Sequence, residues 1–338
     1  MEKELRIGVV GTGAIGCTHI ERINTRLQGG RVVAVADVNP EFGRNVASRF
    51  GCEFFADGMD LVASPLVDAV VVTTSDSFHE RYVLASIQAG KFVFCEKPLA
   101  PEQAACRRIL EAEMAGGRKL VTVGFMRRYD DGYRQLKKLV AERVYGEPLM
   151  LHCAHRNYSV PEDYTTPMAV ENSMIHEIDV LRWLLDEEYA SAEVAFPKRT
   201  KNALPHLQDP QIMVLTTRSG VRIDVEAFVN CRYGYDIKCE VCCEEGIIHL
   251  PEPAYAMVRT EAARTTPICR DWSQRFVEAY NVELREWINA VKAGRVDGPN
   301  SWDGYVGSVT AAAASRARDT RQVVQVELEP CPAFYQAK

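Results

Sequence analysis

Short apolar segments alternate with helical ones along the first 124 residues. The segments 5–10, 68–73 and 92–95 are almost continuously apolar, which is typical of strands covered on both faces of a parallel sheet. An alternation of strands and helices predicts an α/β fold with a doubly wound parallel sheet in a domain of residues 1–124. The predicted strands lie at 5–10, 32–36, 68–73, 92–95 and 120–124. The first predicted helix ends near residue 23, and three more span about 40–50, 80–89 and 101–116.

The pattern changes after residue 124. Two predicted helices precede a series of strands in which apolar and polar residues alternate. This pattern predicts a second, α+β domain of residues 125–338 with an open, mainly antiparallel sheet that helices cover on one face. A homo-oligomer is one way to cover the other face. The predicted elements are helices at 130–142 and 171–185, strands at 189–196, 211–217, 221–229, 235–243 and 247–250, helices at about 276–293 and 303–318, and a last strand at 323–328.

A glycine loop joins the first strand to the first helix. Gly11, Gly13 and Gly16 follow the G-x-G-x-x-G pattern, in which the first glycine permits a tight turn, the second admits a pyrophosphate and the third permits close helix packing. The second strand ends in Asp37, about twenty residues further on, where a carboxylate can accept from both ribose hydroxyls and repels a 2′-phosphate. The pattern predicts a Rossmann domain that binds NAD in preference to NADP. The alternative role for Asp37 is a turn before Asn39-Pro40.

Other residues are expected at the same edge of the sheet. Thr73, Thr74 and Ser75 follow the third predicted strand, and their hydroxyls can reach the ribose or phosphates. His79 fits the start of the next helix better than a catalytic role. The predicted cofactor contacts are Gly11, Gly13, Ala14, Ile15, Gly16, Asp37, Val38, Thr73, Thr74, Ser75, His79, Glu96 and Lys97.

The strand at 92–95 ends in Glu96-Lys97-Pro98. Carboxyl ends of parallel strands line the ligand crevice, so Lys97 is expected at its mouth. A surface lysine paired with Glu96 is the alternative.

In the second half, Asn172, His176 and Asp179 fall at i, i+4 and i+7, which on a helix makes one polar stripe. A hydrogen-bonded core histidine is the alternative there, but the glycine loop and Lys97 favour a functional role.

Composition excludes several classes of protein. The net charge is −6 and basic residues form no stripe, so no nucleic-acid partner is expected. Neither a secretory leader nor an apolar run of membrane-spanning length is visible. Eleven scattered cysteines indicate a reducing cytoplasm. Cys239-x-x-Cys242-Cys243 has no second pair at zinc-site spacing, and residues 237, 239, 241 and 243 alternate as one face of a strand, so no metal is predicted.

These motifs resemble those of the glucose-fructose oxidoreductase and inositol dehydrogenase family. The resemblance covers essentially the whole chain in collinear order, and the Glu-Lys-Pro strand end together with His-x-x-Asp is specific to the family. It rests on the glycine loop, Glu96-Lys97-Pro98, the segment 124–130, the segment 172–179, Asp271-Trp272, Arg275-Phe276 and Tyr280.

The resemblance implies that Lys97 and His176 are catalytic, with Asn172 beside them, and that the protein is a homotetramer packed through the open sheet. Inositol dehydrogenases usually carry aspartate where this chain has Asn172. The substrate-contacting residues that it implies are Met126, Arg127, His155, Asn157, Asn172, His176, Tyr235 and Tyr280.

The expected reaction is NAD-dependent oxidation of a secondary alcohol of a cyclic polyol, myo-inositol or an isomer. His176 is the predicted base, because imidazole titrates near neutral pH, and Lys97 is expected to stabilise the developing alkoxide. One alternative is an NAD-dependent sugar dehydrogenase acting on a pyranose or glycoside 3-hydroxyl. The other is an NAD-binding regulator without turnover, which the presence of both Lys97 and His176 disfavours.

Overall fold

The computed structural model describes residues 4–336, and they form two compact units. The first unit comprises residues 4–126, 280–308 and 329–336, and the second comprises 127–279 and 309–328. The predicted domain boundary at 124 lies close to the end of the first continuous segment. Two later segments return to the first unit, so each unit is built from more than one stretch of chain.

Most elements lie where the sequence predicts them. The strands are β1 (Leu5–Val10), β2 (Gly30–Ala36), β3 (Glu53–Phe55), β4 (Ala69–Val72), β5 (Phe92–Glu96), β6 (Val121–Gly124), β7 (Pro148–Arg156), β8 (Tyr189–Ala195), β9 (Gln211–Thr217), β10 (Arg222–Phe228), β11 (Asp236–Cys243), β12 (Ile247–His249), β13 (Val258–Thr260), β14 (Ala263–Thr265) and β15 (Val324–Gln325). The helices are α1 (Ala14–Thr25), α2 (Pro40–Phe50), α3 (Gly58–Ala63), α4 (His79–Gln88), α5 (Gln103–Gly116), α6 (Asp131–Ala141), α7 (Ile175–Leu185), α8 (Trp272–Arg275), α9 (Val277–Lys292), α10 (Ser301–Thr320) and α11 (Ala333–Gln336).

The first unit contains a six-stranded parallel sheet in the order β3-β2-β1-β4-β5-β6. Its central strands are fully buried, as their continuous apolar pattern predicts. The late segments pack on the same unit: Trp287 on α9 lies edge-on to Phe94, and the Tyr335 hydroxyl donates to buried Glu113 over 2.8 Å. The predicted doubly wound sheet is confirmed.

The second unit contains a seven-stranded sheet in the order β12-β11-β7-β10-β9-β8-β15. Among the strand pairs that the described residues form in this sheet, β7–β10 alone is parallel. Burial alternates strictly along β10, where Ile223 and Val225 are buried and Asp224 and Glu226 are partly exposed. The sheet therefore has one covered and one open face, and the predicted mainly antiparallel sheet is confirmed.

Two local predictions need correction. The helix predicted at 171–185 is a π-helical turn, Ala169–Ser173, followed by α7 from Ile175. The wider turn breaks the regular spacing on which the predicted stripe of Asn172, His176 and Asp179 depended. The last predicted strand shortens to Val324–Gln325.

No helix within residues 4–336 combines the length and hydropathy needed to cross a bilayer. All eleven cysteines are free thiols.

Candidate active site

The glycine loop has two glycines constrained by packing and one that faces open space. Gly11 has φ +94°, and a Cβ there would lie 2.7 Å from the Thr73 backbone, while a Cβ on Gly16 would clash with the Gly11 carbonyl. A Cβ on Gly13 would meet nothing among the described residues within 4 Å. The first and third glycines therefore permit the fold, and the second leaves room for the pyrophosphate of a dinucleotide. The loop fits NAD.

The start of α1 offers an anion site beside this space. Gly13 and Ala14 are exposed, and Ile15 is half-buried. Within the described part of the chain no side chain caps this helix start, and its first turn has no acidic residue. Backbone N–H groups and the positive end of the helix dipole thus remain available to a phosphate.

Asp37 is fixed at the end of β2 by the glycine loop. Its Oδ2 accepts from the Thr12 N–H over 2.8 Å and from the Thr12 hydroxyl over 2.7 Å. Its Oδ1 accepts from the Asn39 N–H over 2.9 Å, which fits the alternative role in a turn as well. Val38 beside it is 84% exposed and brings no positive charge that would attract a 2′-phosphate.

Thr73, Thr74 and His79, which follow β4 at the edge of the sheet, form hydrogen bonds to backbone carbonyls of neighbouring loops. The buried Thr73 hydroxyl donates to the Gly11 carbonyl over 2.6 Å, and the Thr74 hydroxyl donates to the Ser75 carbonyl over 3.2 Å. His79 opens α4, as predicted, and is buried between two carbonyls, with Nδ1 2.7 Å from Pro98 O and Nε2 3.1 Å from Thr74 O. Thr73 and His79 therefore brace the loops that follow β1, β4 and β5.

Glu96 ends β5 as a buried carboxylate, while Lys97 is half-buried. Glu96 Oε1 lies 2.8 Å from His19 Nε2, and Oε2 accepts from the Lys97 N–H over 3.2 Å. Burial alone would raise the pKa of Glu96, but the hydrogen bond from His19 and the charge of Lys97 outweigh it and lower that pKa. Glu96 is thus a fixed negative charge directly before Lys97.

His19 belongs to a buried network that the sequence did not reveal. Arg22 donates to His19 Nδ1 over 3.1 Å and, through Nε, to Asn281 Oδ1 over 2.8 Å. An arginine can only donate, so His19 carries its proton on Nε2 and donates it to Glu96. Tyr280, a predicted substrate contact, packs here with its ring centroid 5.7 Å from that of His19 and 5.0 Å from the Arg22 guanidinium carbon.

In the second unit, Arg127, His155 and Glu177 form a buried cluster. They lie in the turn before α6, on β7 and on α7, and each is at most 3% exposed. Arg127 forms a short ion pair with Glu177 Oε1, and Glu177 Oε2 lies 3.0 Å from His155 Nδ1. Arg127 and His155 were predicted as substrate contacts, whereas Glu177 was not, because nothing in the sequence ties it to partners 22 and 50 residues away.

Glu177 and Arg127 both remain charged at neutral pH. Burial would raise the pKa of Glu177, but the charge of Arg127 and the hydrogen bonds of His155 and Arg127 lower it to about 2. Burial would lower the pKa of Arg127, and the Glu177 charge more than reverses this. His155 Nδ1 lies 3.0 Å from Glu177 Oε2 and 3.2 Å from Arg127 Nη2. The nearer carboxylate favours the proton on Nδ1, which makes Nε2 the acceptor.

Further predicted site residues surround the cluster. The ring centroid of His155 lies 6.4 Å from that of His176 and 5.9 Å from that of Tyr235. Tyr235 is buried, and burial raises its pKa to about 12. The structure therefore brings Arg127, His155, His176 and Tyr235 together within one unit.

Two buried polar atoms near this group lack a hydrogen-bond partner within residues 4–336. They are Arg127 Nε and Asn157 Oδ1. Asn157 follows β7 two positions after His155 and so extends the same side of the strand. An unsatisfied donor and acceptor are what a hydroxylated ligand would satisfy.

Asp179 has a structural role in the second unit. Both of its carboxylate oxygens accept from Arg128, and the pair is buried. Asn172 lies in the π-helical turn and His176 in the first turn of α7, and both are half-buried. Met126 lies at the end of the first segment of the first unit, 2% exposed.

Two family models together match most of the chain. Residues 5–125 match the oxidoreductase family, NAD-binding Rossmann fold, and residues 137–327 match the C-terminal α/β domain of the same family. The NAD cofactor, the family and the fold class predicted from the sequence are confirmed.

Known proteins are similar over nearly the full length. An inositol 2-dehydrogenase of Klebsiella pneumoniae is 53% identical over 98% of this chain and 99% of its own length. An inositol 2-dehydrogenase/D-chiro-inositol 3-dehydrogenase of Halalkalibacterium halodurans is 52% identical over 99% and 97%. The crystal structure of myo-inositol dehydrogenase from Lactobacillus casei, in complex with NAD(H) and myo-inositol, superposes with a TM-score of 0.97 at 37% identity, covering 99% of this chain and 100% of that one. The chain belongs to the Gfo/Idh/MocA family of NAD-binding oxidoreductases.

Proposed function

We propose that the protein oxidises a secondary hydroxyl of an inositol with NAD, and that its substrate is myo-inositol, oxidised at C2. The observation that carries this proposal is the buried Arg127–Glu177–His155 cluster beside His176, in a chain that is similar over its full length to inositol 2-dehydrogenases.

The charge balance of the cluster favours a neutral polyol over an anionic substrate. Glu177 neutralises Arg127, so a ligand carboxylate or phosphate would find no excess positive charge there. Arg127 offers donors, His155 Nε2 an acceptor, and the Asn157 amide and Tyr235 hydroxyl offer both. A ring with several hydroxyls requires this mixture, because each buried hydroxyl both donates and accepts.

NAD supplies the hydride acceptor for the reaction when it is bound. His176 removes the hydroxyl proton as the general base. Lys97 donates a charge-assisted hydrogen bond to the same oxygen and stabilises the negative charge that develops on it. Glu96, fixed by His19, keeps a negative charge beside Lys97 and favours its ammonium form.

Substrate choice is tested with the purified protein, NAD and a panel of myo-, scyllo- and D-chiro-inositol, glucose and a methyl glucoside. We expect myo-inositol to give the highest kcat/KM. D-chiro-inositol is the second candidate, because the Halalkalibacterium relative is named for both reactions. A higher kcat/KM for glucose or the glucoside would replace the inositol proposal with a sugar dehydrogenase, and NAD binding without turnover of any compound would indicate a regulator.

We also propose a homotetramer that packs through the open sheet face. Met150 and Ile247 flank Cys242 in one row of this face and are 44% and 58% exposed, and a second copy would remove them from water. Light scattering should give four times the chain mass of 37.8 kDa, and Ile247→Asp should lower it. The control is Val323→Asp, which is equally exposed before β15. A wild-type monomer, or an Ile247→Asp tetramer, would contradict this arrangement.

We place the protein in the cytoplasm, because eleven free thiols suit a reducing compartment. Thiol titration of the denatured, unreduced protein should count all eleven. A lower count would reveal disulfides and argue for another compartment.

A further inference from the structure

A buried network of polar side chains adjoins the end of β5 in the first unit. His19 and Arg22 lie one turn apart on α1, and Asn281 lies on α9. Arg22 donates from Nε to Asn281 Oδ1 over 2.8 Å and from Nη1 to His19 Nδ1 over 3.1 Å. His19 Nε2 lies 2.8 Å from Glu96 Oε1. The four side chains are at most 8% exposed, so water does not compete for these hydrogen bonds.

Arg22 decides which nitrogen of His19 carries the proton. A guanidinium only donates, so His19 Nδ1 must accept and the proton lies on Nε2, from which it is donated to Glu96. A second proton on Nδ1 would place two donors against each other and an imidazolium beside a guanidinium, which is unfavourable for two like charges. Arg22 therefore keeps His19 neutral.

A neutral His19 leaves the full negative charge of Glu96 to act on Lys97. An imidazolium at this place would form an ion pair with Glu96 and neutralise it. Burial would raise the pKa of Glu96, but the hydrogen bond from His19 and the charge of Lys97 lower it. Glu96 Oε2 also accepts from the Lys97 N–H over 3.2 Å, so the same carboxylate fixes the backbone that carries the lysine.

The packing holds both groups in this arrangement. The His19 ring lies edge-on to Phe94, with the centroids 5.8 Å apart, and its centroid lies 5.7 Å from that of Tyr280. A Cβ on Gly124 of β6 would lie only 3.2 Å from Glu96 Cδ. Neither the imidazole nor the carboxylate has room to turn away from the other.

We propose that Arg22 and His19 are positioning residues, which hold Glu96 ionised and thereby hold Lys97 in its charged form at the reacting centre. This inference rests on the proposed role of Lys97. It extends that role to α1, the helix that starts at the glycine loop, and to Asn281 on α9, which anchors Arg22. The helix that offers its start to the phosphates of NAD thus also supports the residue that stabilises the alkoxide.

Nitrogen NMR of the imidazole rings tests the hydrogen-bond arrangement without any turnover. At neutral pH we expect His19 to be neutral with its proton on Nε2, and loss of the signal in His19→Gln assigns it. In Arg22→Met the proton should no longer be confined to Nε2. Arg26→Met removes an exposed charge at the end of the same helix and should leave the His19 signal unchanged.

Three results of this measurement would overturn the proposal. They are an imidazolium in the wild type, a wild-type proton on Nδ1, and an unchanged His19 signal in Arg22→Met. Circular dichroism shows whether each variant is folded. If Arg22→Met does not fold, the wild-type signal still decides where the proton lies, and Arg22→Gln provides the second variant.

Kinetics then separate a positioning role from a purely structural one. His19→Leu cannot donate to Glu96 and should lower kcat about ten-fold, with the Kd for NAD unchanged. His19→Gln should retain most of kcat, because its amide can donate to Glu96. In a Lys97→Met background the further loss caused by His19→Leu should be less than about two-fold, since the residue on which it acts is gone.

Equal losses from His19→Leu in both backgrounds, or no rescue by a folded His19→Gln, would overturn the proposal. The failure of the proposed function gives a different result. If the wild type oxidises no inositol, that function is wrong, whereas the NMR measurement still accepts or rejects the network.

Discussion

Thr12 and Asp37 are joined by two hydrogen bonds that end on the same carboxylate oxygen. The Thr12 N–H and hydroxyl donate to Asp37 Oδ2 over 2.8 and 2.7 Å. Thr12 is fully buried within the glycine loop, so this residue links the phosphate-binding loop to the acid expected to bind the ribose. Thr12, the residue between the first two glycines of the motif, is therefore expected to affect cofactor choice through Asp37.

Replacing Thr12 with Val should weaken NAD binding. The variant keeps the backbone donor and the volume but loses the hydroxyl donor to a carboxylate, a change worth about 1 kcal/mol, or roughly three- to ten-fold in Kd. Titration calorimetry with NAD and NADP measures the effect. Thr18→Val is the matched control, because that hydroxyl donates to Ala14 O on the exposed side of α1. Equal Kd values for Thr12→Val and the wild type would show that the carboxylate does not need this hydroxyl.

Replacing Glu177 with Gln should destabilise the second unit. Arg127 would remain buried without its counter-charge, which costs about 3–5 kcal/mol. Denaturant unfolding monitored by tryptophan fluorescence and circular dichroism measures the change. Glu80→Gln is the control, since its partner Arg108 is half-exposed and exposed pairs contribute about 1 kcal/mol or less. Unfolding of Glu177→Gln at the wild-type denaturant concentration would contradict a structural role for the pair.

The same pair predicts where acid begins to destabilise the unit. The pKa of Glu177 is lowered to about 2 in the fold from its usual 4.5, so its stabilising contribution is complete above about 4.5 and is lost as the pH falls towards 2. The stability difference between wild type and Glu177→Gln should therefore be constant from neutral pH to about 5 and shrink below it. A difference that disappears already near pH 6 would mean that another group controls it.

The parts of the fold that follow a local pattern could be predicted from the sequence. The continuous apolar pattern located β1, and the alternation of strands and helices predicted the helix at about 40–50 that is α2. β7 was not predicted, because its alternation of apolar and polar residues is interrupted by the consecutive apolar residues Leu149 and Met150. Both are exposed in the structure. The π-helical turn at 169–173 was also missed, since its spacing differs from that of an α-helix.

The candidate site was less predictable than the fold. The glycine loop, Asp37, Lys97 and His176 follow recognisable local patterns, whereas His155 was indicated by family resemblance alone. Glu177 and His19 had no signal, because a buried ion pair or hydrogen bond between distant segments is defined only after folding. A local sequence pattern cannot predict long-range polar contacts of this kind.

Replacing Asn172 with Asp should shift the pH dependence of catalysis. If the side chain at 172 faces His176 across the π-helical turn, a carboxylate there favours the imidazolium ion, so the base becomes available only at higher pH. The acidic limb of kcat/KM should move up by roughly one pH unit, and the preference among inositol isomers should change because an amide donor is lost. Asn202→Asp, in the loop between β8 and β9, adds the same charge as a control. An unchanged limb and isomer preference would make Asn172 a packing residue.

Lys97 and His176 should behave as one catalytic unit. If both act on the same substrate oxygen, Lys97→Met with His176→Ala should be little slower than the slower single variant. Each single change should lower kcat roughly 10²- to 10⁴-fold, while the Kd for NAD stays within a few-fold. Lys201→Met, in a surface loop, is the control for loss of positive charge. Fully additive losses in the double variant would mean that the two residues act independently.

Transfer of deuterium from C2 of myo-inositol to NAD tests the proposed reaction most directly. The protein is incubated with NAD and myo-inositol labelled with deuterium at C2, and the reduced nucleotide is analysed by mass spectrometry. We expect reduced NAD that carries one deuterium, with its formation reduced by at least two orders of magnitude in His176→Ala. Reduced NAD without deuterium, or no reduction of NAD by myo-inositol, would contradict oxidation of myo-inositol at C2.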